Sequence, residues 1–114
     1  MNMHVFPHFL RCLVAGASVW ACTAYGQPAG TSFPAEHIAL GAKLYADNCE
    51  SCHGPRMKAP GGEVFDLRTF PADQRSRFVE SVSNGKRNMP PWRSLLSQEE
   101  IGFLFAYVVA GERP

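Results

Sequence analysis

The apolar residues of this chain recur at helical spacing in several segments, and no segment alternates apolar and polar residues as a surface strand does. The first helical segment covers residues 35–49 and follows Ser32-Phe33-Pro34. Its apolar face consists of Ile38, Ala42 and Tyr45. Gly41 lies inside this helix at a cost of about 1 kcal/mol relative to alanine. A glycine in such a position indicates that another backbone comes close.

A second helix is predicted over residues 72–83, with Gly85 as its stop signal. Its inward side chains are Phe78, Val79 and Val82. Upstream of it, residues 54–62 combine proline, glycine and isolated charges, so they are predicted to form a loop. Helical patterns on both sides of this loop predict an all-α domain.

The last helix has the clearest start signal in the chain. Ser97 and Glu100 have the spacing of a capping box, and Leu96 and Ile101 have that of a hydrophobic staple. The predicted apolar face consists of Ile101, Leu104, Tyr107 and Val108. Gly111 is predicted to end the helix.

The N-terminus, residues 1–26, has the pattern of a secretory signal peptide. Arg11 precedes an uncharged run over residues 12–24, which is too short to span a bilayer but suits the apolar region of a signal. Ala24 and Gly26 place small residues at the −3 and −1 positions, so we predict cleavage after Gly26. An uncleaved membrane anchor is the alternative.

Lipidation at Cys22 is less favoured, because the bulky Trp20 stands where a lipoprotein signal has a small residue.

After cleavage the chain consists of a flexible lead at 27–34 and one domain at 35–114. This part holds ten Lys and Arg residues (11 − 1 for Arg11) against ten Asp and Glu residues. The neutral balance argues against a nucleic-acid partner. A domain of this size has a marginal core unless a cofactor or cross-link supports it.

The motif Cys49-Glu50-Ser51-Cys52-His53 has the C-x-x-C-H pattern of covalent haem attachment. Two cysteines three residues apart lie on one side of a helical turn, where their sulfurs can reach the two vinyl groups on one porphyrin edge. The adjacent histidine can then ligate the iron through an imidazole nitrogen. We therefore predict one haem c, with thioethers at Cys49 and Cys52 and an iron ligand at His53.

Two other chemistries use paired cysteines. A disulfide redox centre belongs in a βαβ context, and no strand pattern surrounds this motif. A zinc site needs a second pair of ligands. The remaining cysteines, Cys12 and Cys22, fall in the predicted signal peptide. Both alternatives are therefore weaker than haem attachment.

The second iron ligand has three candidates outside the signal peptide: Met57, Met89 and His37. Met57 follows His53 by only four residues, too few to pass around a porphyrin about 10 Å across at no more than ~3.6 Å per residue. His37 begins the first helix, where solvent exposure is expected. Met89 is followed by two prolines that hold the backbone extended and can present its side chain rigidly. We predict Met89.

These features together resemble the class I cytochromes c, from Pro34 to Gly111. The residues that carry the resemblance are Gly41 with Tyr45, Cys49-Glu50-Ser51-Cys52-His53-Gly54, Asn84-Gly85-Lys86 leading to Met89-Pro90-Pro91-Trp92, and Ile101 through Val108. The resemblance implies three to four helices around one covalent haem, with the first and last helices crossing near a right angle. By position, Gly41 would allow that close approach. Tyr45 would pack against Leu104 and Tyr107.

Further contacts with the haem are predicted around the two ligands. The family hydrogen-bonds the second nitrogen of the haem-ligating histidine to a proline carbonyl, for which Pro60 is the nearest candidate. Arg68 and Trp92 are candidates for binding the haem propionates, one through its charge and the other through its indole N–H. The stretch Phe65-Asp66-Leu67-Arg68 and the short ligand loop resemble the compact periplasmic cytochromes that serve quinoprotein alcohol dehydrogenases.

An imidazole and a thioether together favour Fe(II) over Fe(III) and raise the reduction potential. Because six ligands leave no position for substrate, we predict a one-electron carrier and not an enzyme. We expect an exported periplasmic monomer without stable membrane insertion after cleavage. A dehydrogenase would be its donor, and an oxidase or another cytochrome its acceptor. A gas-binding or redox-sensing haem protein with a labile sixth ligand stays open, as does a small peroxidase that would use His37.

Basic residues flank both predicted ligands. They are Arg56, Lys58, Lys86, Arg87 and Arg93. We hypothesise that they surround the exposed haem edge and steer an acidic redox partner. The alternative is a set of ordinary solvated charges.

Overall fold

A computed structural model describes residues 32–111, which form four α-helices and two short 3₁₀ helices. The α-helices are α1 (Ala35–Asn48), α2 (Glu50–His53), α3 (Arg75–Asn84) and α4 (Gln98–Ala110), and the 3₁₀ helices are Pro55–Met57 and Leu67–Thr69. Within residues 32–111 the one β feature is an isolated bridge between Lys86 and Met89. The all-α prediction is confirmed. The predicted signal peptide and most of the predicted lead lie outside the described residues.

The helix ends agree with the sequence patterns except at the start of α3. Helix α1 covers the predicted segment to within one residue, and Gly85 ends α3 with a φ of 77°. The predicted start at residue 72 is wrong by three residues. The backbone N–H of Gln74 donates to the Pro71 carbonyl, and Gln74 itself has non-helical φ and ψ angles. Residues 71–74 therefore form a turn before the helix.

Helices α1 and α4 pack together at Gly41, as the resemblance implied. A Cβ atom at Gly41 would lie 2.6 Å from the carbonyl carbon of Phe103 and 2.8 Å from Cβ of Tyr107. The rings of Tyr45 and Tyr107 lie one turn further on, with centroids 5.3 Å apart. A side chain at position 41 would therefore separate the two helices.

Helix α4 is buried over more of its circumference than the sequence pattern predicted. Besides the four predicted core residues, Phe105 and Ala106 are at most 1% exposed. Phe105 contacts Phe78 of α3 at 5.4 Å and Phe70 at 6.3 Å between ring centroids. One face of α4 thus contacts α1. Another face contacts the aromatic side chains of Phe70 and of Phe78 on α3.

The capping box at the start of α4 is confirmed. The Ser97 hydroxyl accepts a hydrogen bond from the Glu100 N–H at 3.2 Å, and the Glu100 carboxylate accepts one from the Ser97 N–H at 2.7 Å. The backbone and hydroxyl of Ser97 both hold the pKa of Glu100 below its ordinary value of 4.5. Leu96 and Ile101, the predicted staple, are both buried.

Replacing Ser97 by alanine should lower the free energy of unfolding by about 1 kcal/mol at neutral pH, as loss of an N-cap does. The lowered pKa of Glu100 means that its contribution is present above pH 4.5 and is lost as the pH falls through the folded-state value. The difference in the free energy of unfolding between the variant and the parent should therefore become smaller at acidic pH. Denaturant unfolding at several pH values measures it. Ser94→Ala changes an exposed serine nearby and is the control; equal stability of the two variants would contradict the cap assignment.

Candidate haem site

The C-x-x-C-H motif forms one helical turn directly after α1, as its spacing predicted. The N–H groups of Cys52 and His53 both donate to the Cys49 carbonyl, at 3.2 and 2.9 Å, and Gly54 N–H donates to Glu50 at 2.8 Å. Residues three apart in such a turn share one side of the helix. Cys49 is half-buried and Cys52 is exposed, and no disulfide joins them.

The Cys49 thiol lacks the character of a reactive redox cysteine. Burial, with a smaller effect from Cys52, raises the pKa of Cys49 to about 11. Reactive thiols in redox centres have lowered pKa values and are present as thiolates near neutral pH. The raised pKa of Cys49 is therefore not that of a reactive thiol.

His53 presents a neutral imidazole to the site. Burial lowers its pKa, and this effect outweighs the opposing influence of the Phe65 backbone. Its Nδ1 atom is buried and has no hydrogen-bond partner. A neutral imidazole is the form that ligates metals. A neutral imidazole directly after a turn that carries two cysteines therefore fits a haem at this position.

The chain reverses direction immediately after His53. Gly54, Arg56 and Met57 have φ angles of 80°, 52° and 64°, and residues 55–57 form a 3₁₀ turn where a loop was predicted. The Met57 side chain is 0% exposed in the core. Its burial among apolar side chains gives this methionine a packing role.

Met89 is held at the end of a two-residue turn. The N–H and carbonyl groups of Lys86 and Met89 pair reciprocally, each hydrogen bond measuring 3.0 Å. Arg87, within the turn, has a φ of 53°. At Gly85 a Cβ atom would lie 2.6 Å from the Met89 carbonyl oxygen, so the turn closes only against a glycine. Asn84-Gly85 was the sequence signal for this turn; the left-handed arginine had none.

The residues after Met89 are tied to the end of α3. Trp92 N–H donates to the Val82 carbonyl at 2.9 Å, and Arg93 N–H donates to that of Ser83 at 3.3 Å. The backbone on both sides of Met89 is thereby anchored. Its side chain is half-buried.

Arg68 is engaged by a carboxylate that the sequence analysis did not assign. Its Nε and Nη2 atoms donate to the two Asp66 oxygens at 2.9 and 2.6 Å, which lowers the pKa of Asp66 and raises that of Arg68. Asp66 also caps the 3₁₀ helix Leu67–Thr69 by accepting the Arg68 N–H. The Asp-x-Arg spacing was the available signal. A haem propionate would share this guanidinium with Asp66.

The remaining predicted site residues lie at or near the surface. Trp92 is half-buried against the core, and Pro60 is exposed. The Pro60 carbonyl does not bond His53 Nδ1 in the structure, and the propionate role of Trp92 stays a prediction. The five basic residues flanking the predicted ligands are all exposed, and Arg93 also donates to the Asn84 side chain at 2.9 Å. Residues 32–111 contain no helix of the length and apolarity needed to cross a membrane.

Comparison with known proteins identifies relatives of this chain. It is 32% identical to cytochrome c55X of Pseudomonas aeruginosa over 60% of each chain. It is 37% identical to the chloroplastic cytochrome c6 of Chlamydomonas reinhardtii, over 68% of this chain and 56% of that protein. Identity to cytochrome c6 of Anabaena variabilis is 34%, over 60% of this chain and 85% of that one. The matches thus span about 60% of the length of the first two relatives.

A protein-family model, described as cytochrome c oxidase, cbb3-type, subunit III, matches residues 36–108. The match begins inside α1, includes the haem motif and Met89, and ends inside α4. It covers well over half of the chain, and the predicted haem c is confirmed by it. The chain belongs to this cytochrome c family, as a small class I cytochrome with one covalently bound haem.

Proposed function

We propose that this chain is an exported one-electron carrier whose haem iron is held by His53 and Met89. Cys49 and Cys52 would form the two thioether bonds on one edge of the porphyrin. The cofactor supplies reversible one-electron exchange between Fe(III) and Fe(II). The chain supplies a neutral imidazole, a thioether and a largely apolar surrounding core.

The observation that carries this proposal is the anchoring of Met89. Reciprocal backbone bonds to Lys86 precede the methionine, and the bond from Trp92 to α3 follows it. A ligand on an anchored backbone keeps its position when the iron changes charge, so little rearrangement opposes electron transfer. The same anchoring disfavours a sensor, which needs a sixth ligand that leaves readily.

Visible spectra of the purified holoprotein in both redox states test the ligand set. We expect a low-spin haem, with the long-wavelength sulfur-to-iron band in the oxidised form and no carbon monoxide binding at neutral pH. A missing band together with carbon monoxide binding would favour a gas-binding or sensing protein. A colourless protein would rule out haem altogether.

Electron partners are proposed from surface charge and from the relatives. The family model bears the name of an oxidase subunit, and several relatives are cytochromes c6. We propose acidic redox proteins as partners, with a quinoprotein dehydrogenase as donor and an oxidase or another cytochrome as acceptor. The setting would be the periplasm and the carrier a monomer. Exposed arginines and lysines beside both proposed ligands support acidic partners, because they would attract a negatively charged surface.

Ferricyanide, a trianion, serves as a probe of the basic surface. Its rate of oxidising the ferrous protein should fall with ionic strength, and Lys86→Gln should lower that rate about threefold at low salt. Lys43→Gln removes the same charge from the exposed side of helix α1, where Lys43 pairs with Asp47 at 2.7 Å, and is the matched control. Stopped-flow spectroscopy measures both. Equal oxidation rates for the two variants, or rates that do not change with ionic strength, would contradict steering at this surface.

A further inference from the structure

The four residues after His53 form a turn that L-amino acids rarely adopt. We call residues 54–57 the post-histidine hook. Three of them have positive φ angles: 80° at Gly54, 52° at Arg56 and 64° at Met57. A Cβ atom at Gly54 would lie 2.9 Å from the Lys58 carbonyl carbon, so the chain folds back tightly on itself. Two non-glycine residues in the left-handed region persist only where surrounding contacts hold them.

Tyr45 supplies such a contact from helix α1. Its hydroxyl donates to the Gly54 carbonyl oxygen at 2.5 Å in a buried hydrogen bond. The same oxygen accepts the Met57 N–H at 3.2 Å. The Gly54 carbonyl oxygen therefore accepts two hydrogen bonds, one from Tyr45 and one from Met57 at the other end of the hook. Burial raises the pKa of Tyr45, so the hydroxyl keeps its proton across the physiological range.

The tyrosine is itself fixed by the packing of α1 against α4. Its side chain is 1% exposed, and its ring packs on Tyr107 one turn after the Gly41 contact. The Met57 side chain belongs to the same buried core. The hook is thus joined to the interface between α1 and α4 through the Tyr45 hydroxyl at one end and the Met57 side chain at the other.

We propose that Tyr45 is a positioning residue for His53: its hydroxyl locks the post-histidine hook and thereby sets the orientation of the imidazole toward the iron. His53 directly precedes Gly54, and the Gly54 N–H also closes the motif turn on Glu50. Movement of the Gly54 peptide therefore moves the backbone that carries His53. The inference rests on the proposed function, because it takes His53 to be an iron ligand.

Tyr45→Phe tests this, because it removes the hydroxyl and retains the ring. In the variant holoprotein, amide hydrogen exchange at Met57 should accelerate at least tenfold more than exchange at Leu104 of α4. The hyperfine-shifted ring resonances of His53 in the oxidised protein should move or broaden. Ser97→Ala is the control, because it weakens α4 at its capping box without touching the hook. Tyr45→Phe spectra and exchange that match those of Ser97→Ala would overturn the proposal.

The wild-type spectrum separates this proposal from the proposed function. Wild-type protein without hyperfine-shifted His53 and Met89 resonances would refute the ligand set, whatever Tyr45 does. Should Tyr45→Phe fail to yield holoprotein, Arg56→Gly provides the second test, because glycine accepts a positive φ readily. The double variant should then recover holoprotein, and failure to recover it would overturn the positioning role.

Discussion

Replacing Met89 by histidine should abolish the long-wavelength sulfur-to-iron band of the oxidised protein and lower its reduction potential. A second imidazole donates more strongly to Fe(III) than a thioether does, so it stabilises the oxidised state. We expect a fall on the order of 0.2 V, within the roughly 0.8 V that axial ligation spans. Potentiometric titration followed by visible absorption measures both effects on one sample.

Met57→Leu is the matched control for this change. It replaces the other methionine near the haem motif, whose side chain is 0% exposed, with an apolar residue of similar volume. The band and the potential should both stay close to those of the parent, with only a modest loss of stability. If Met57→Leu removed the band and Met89→His left it intact, the assignment of the second ligand would be reversed.

Replacing Gly41 by alanine should destabilise the holoprotein by about 3 kcal/mol, the upper end of the usual range for overpacking. The added methyl group would overlap the Phe103 carbonyl and the Tyr107 Cβ atom. The first is part of the backbone, and the second is bonded directly to it. Rotation of a side chain cannot relieve such a clash. Helices α1 and α4 would have to separate, which exposes Tyr45 and Leu104. Denaturant unfolding of the purified holoprotein measures the loss.

Gly102→Ala in α4 is the control for Gly41→Ala. A Cβ atom there would meet only the end of the flexible Arg75 side chain, at 3.3 Å. The gain in helix propensity, up to ~1 kcal/mol, should leave this variant as stable as the parent or more so. If both alanine variants were equally tolerated, close packing at Gly41 would not be what holds α1 to α4.

Local patterns predicted the parts of the fold that depend on near neighbours in the chain. The capping box at Ser97 and Glu100 was readable because its partners are three residues apart. The helical turn of the haem motif was predictable too, because its backbone hydrogen bonds join residues three and four positions apart. The stop at Gly85 has the same local origin. In each case the stabilising bonds form within one helical turn.

Other features needed contacts between distant segments. The extra burial of Phe105 depends on Phe70 and Phe78, which the fold brings to a second face of α4. The late start of α3 is by contrast a local effect that the apolar pattern did not reveal: the Pro71–Gln74 turn competes with the helix there. Periodicity indicates one apolar face of a helix, and it does not reveal how many neighbours that helix has.

The sequence by itself determined the chemistry of this protein: two thiols, an imidazole and a proline-flanked thioether, with a glycine where two helices must meet. The tertiary structure alone decided how those groups are held. At Arg56 and Met57, two residues with positive φ angles lie beside the buried hydrogen bond from Tyr45 of helix α1 to the Gly54 carbonyl. A non-glycine residue with a positive φ angle leaves no signature in its own identity, because the cost of that conformation is offset by partners elsewhere in the structure.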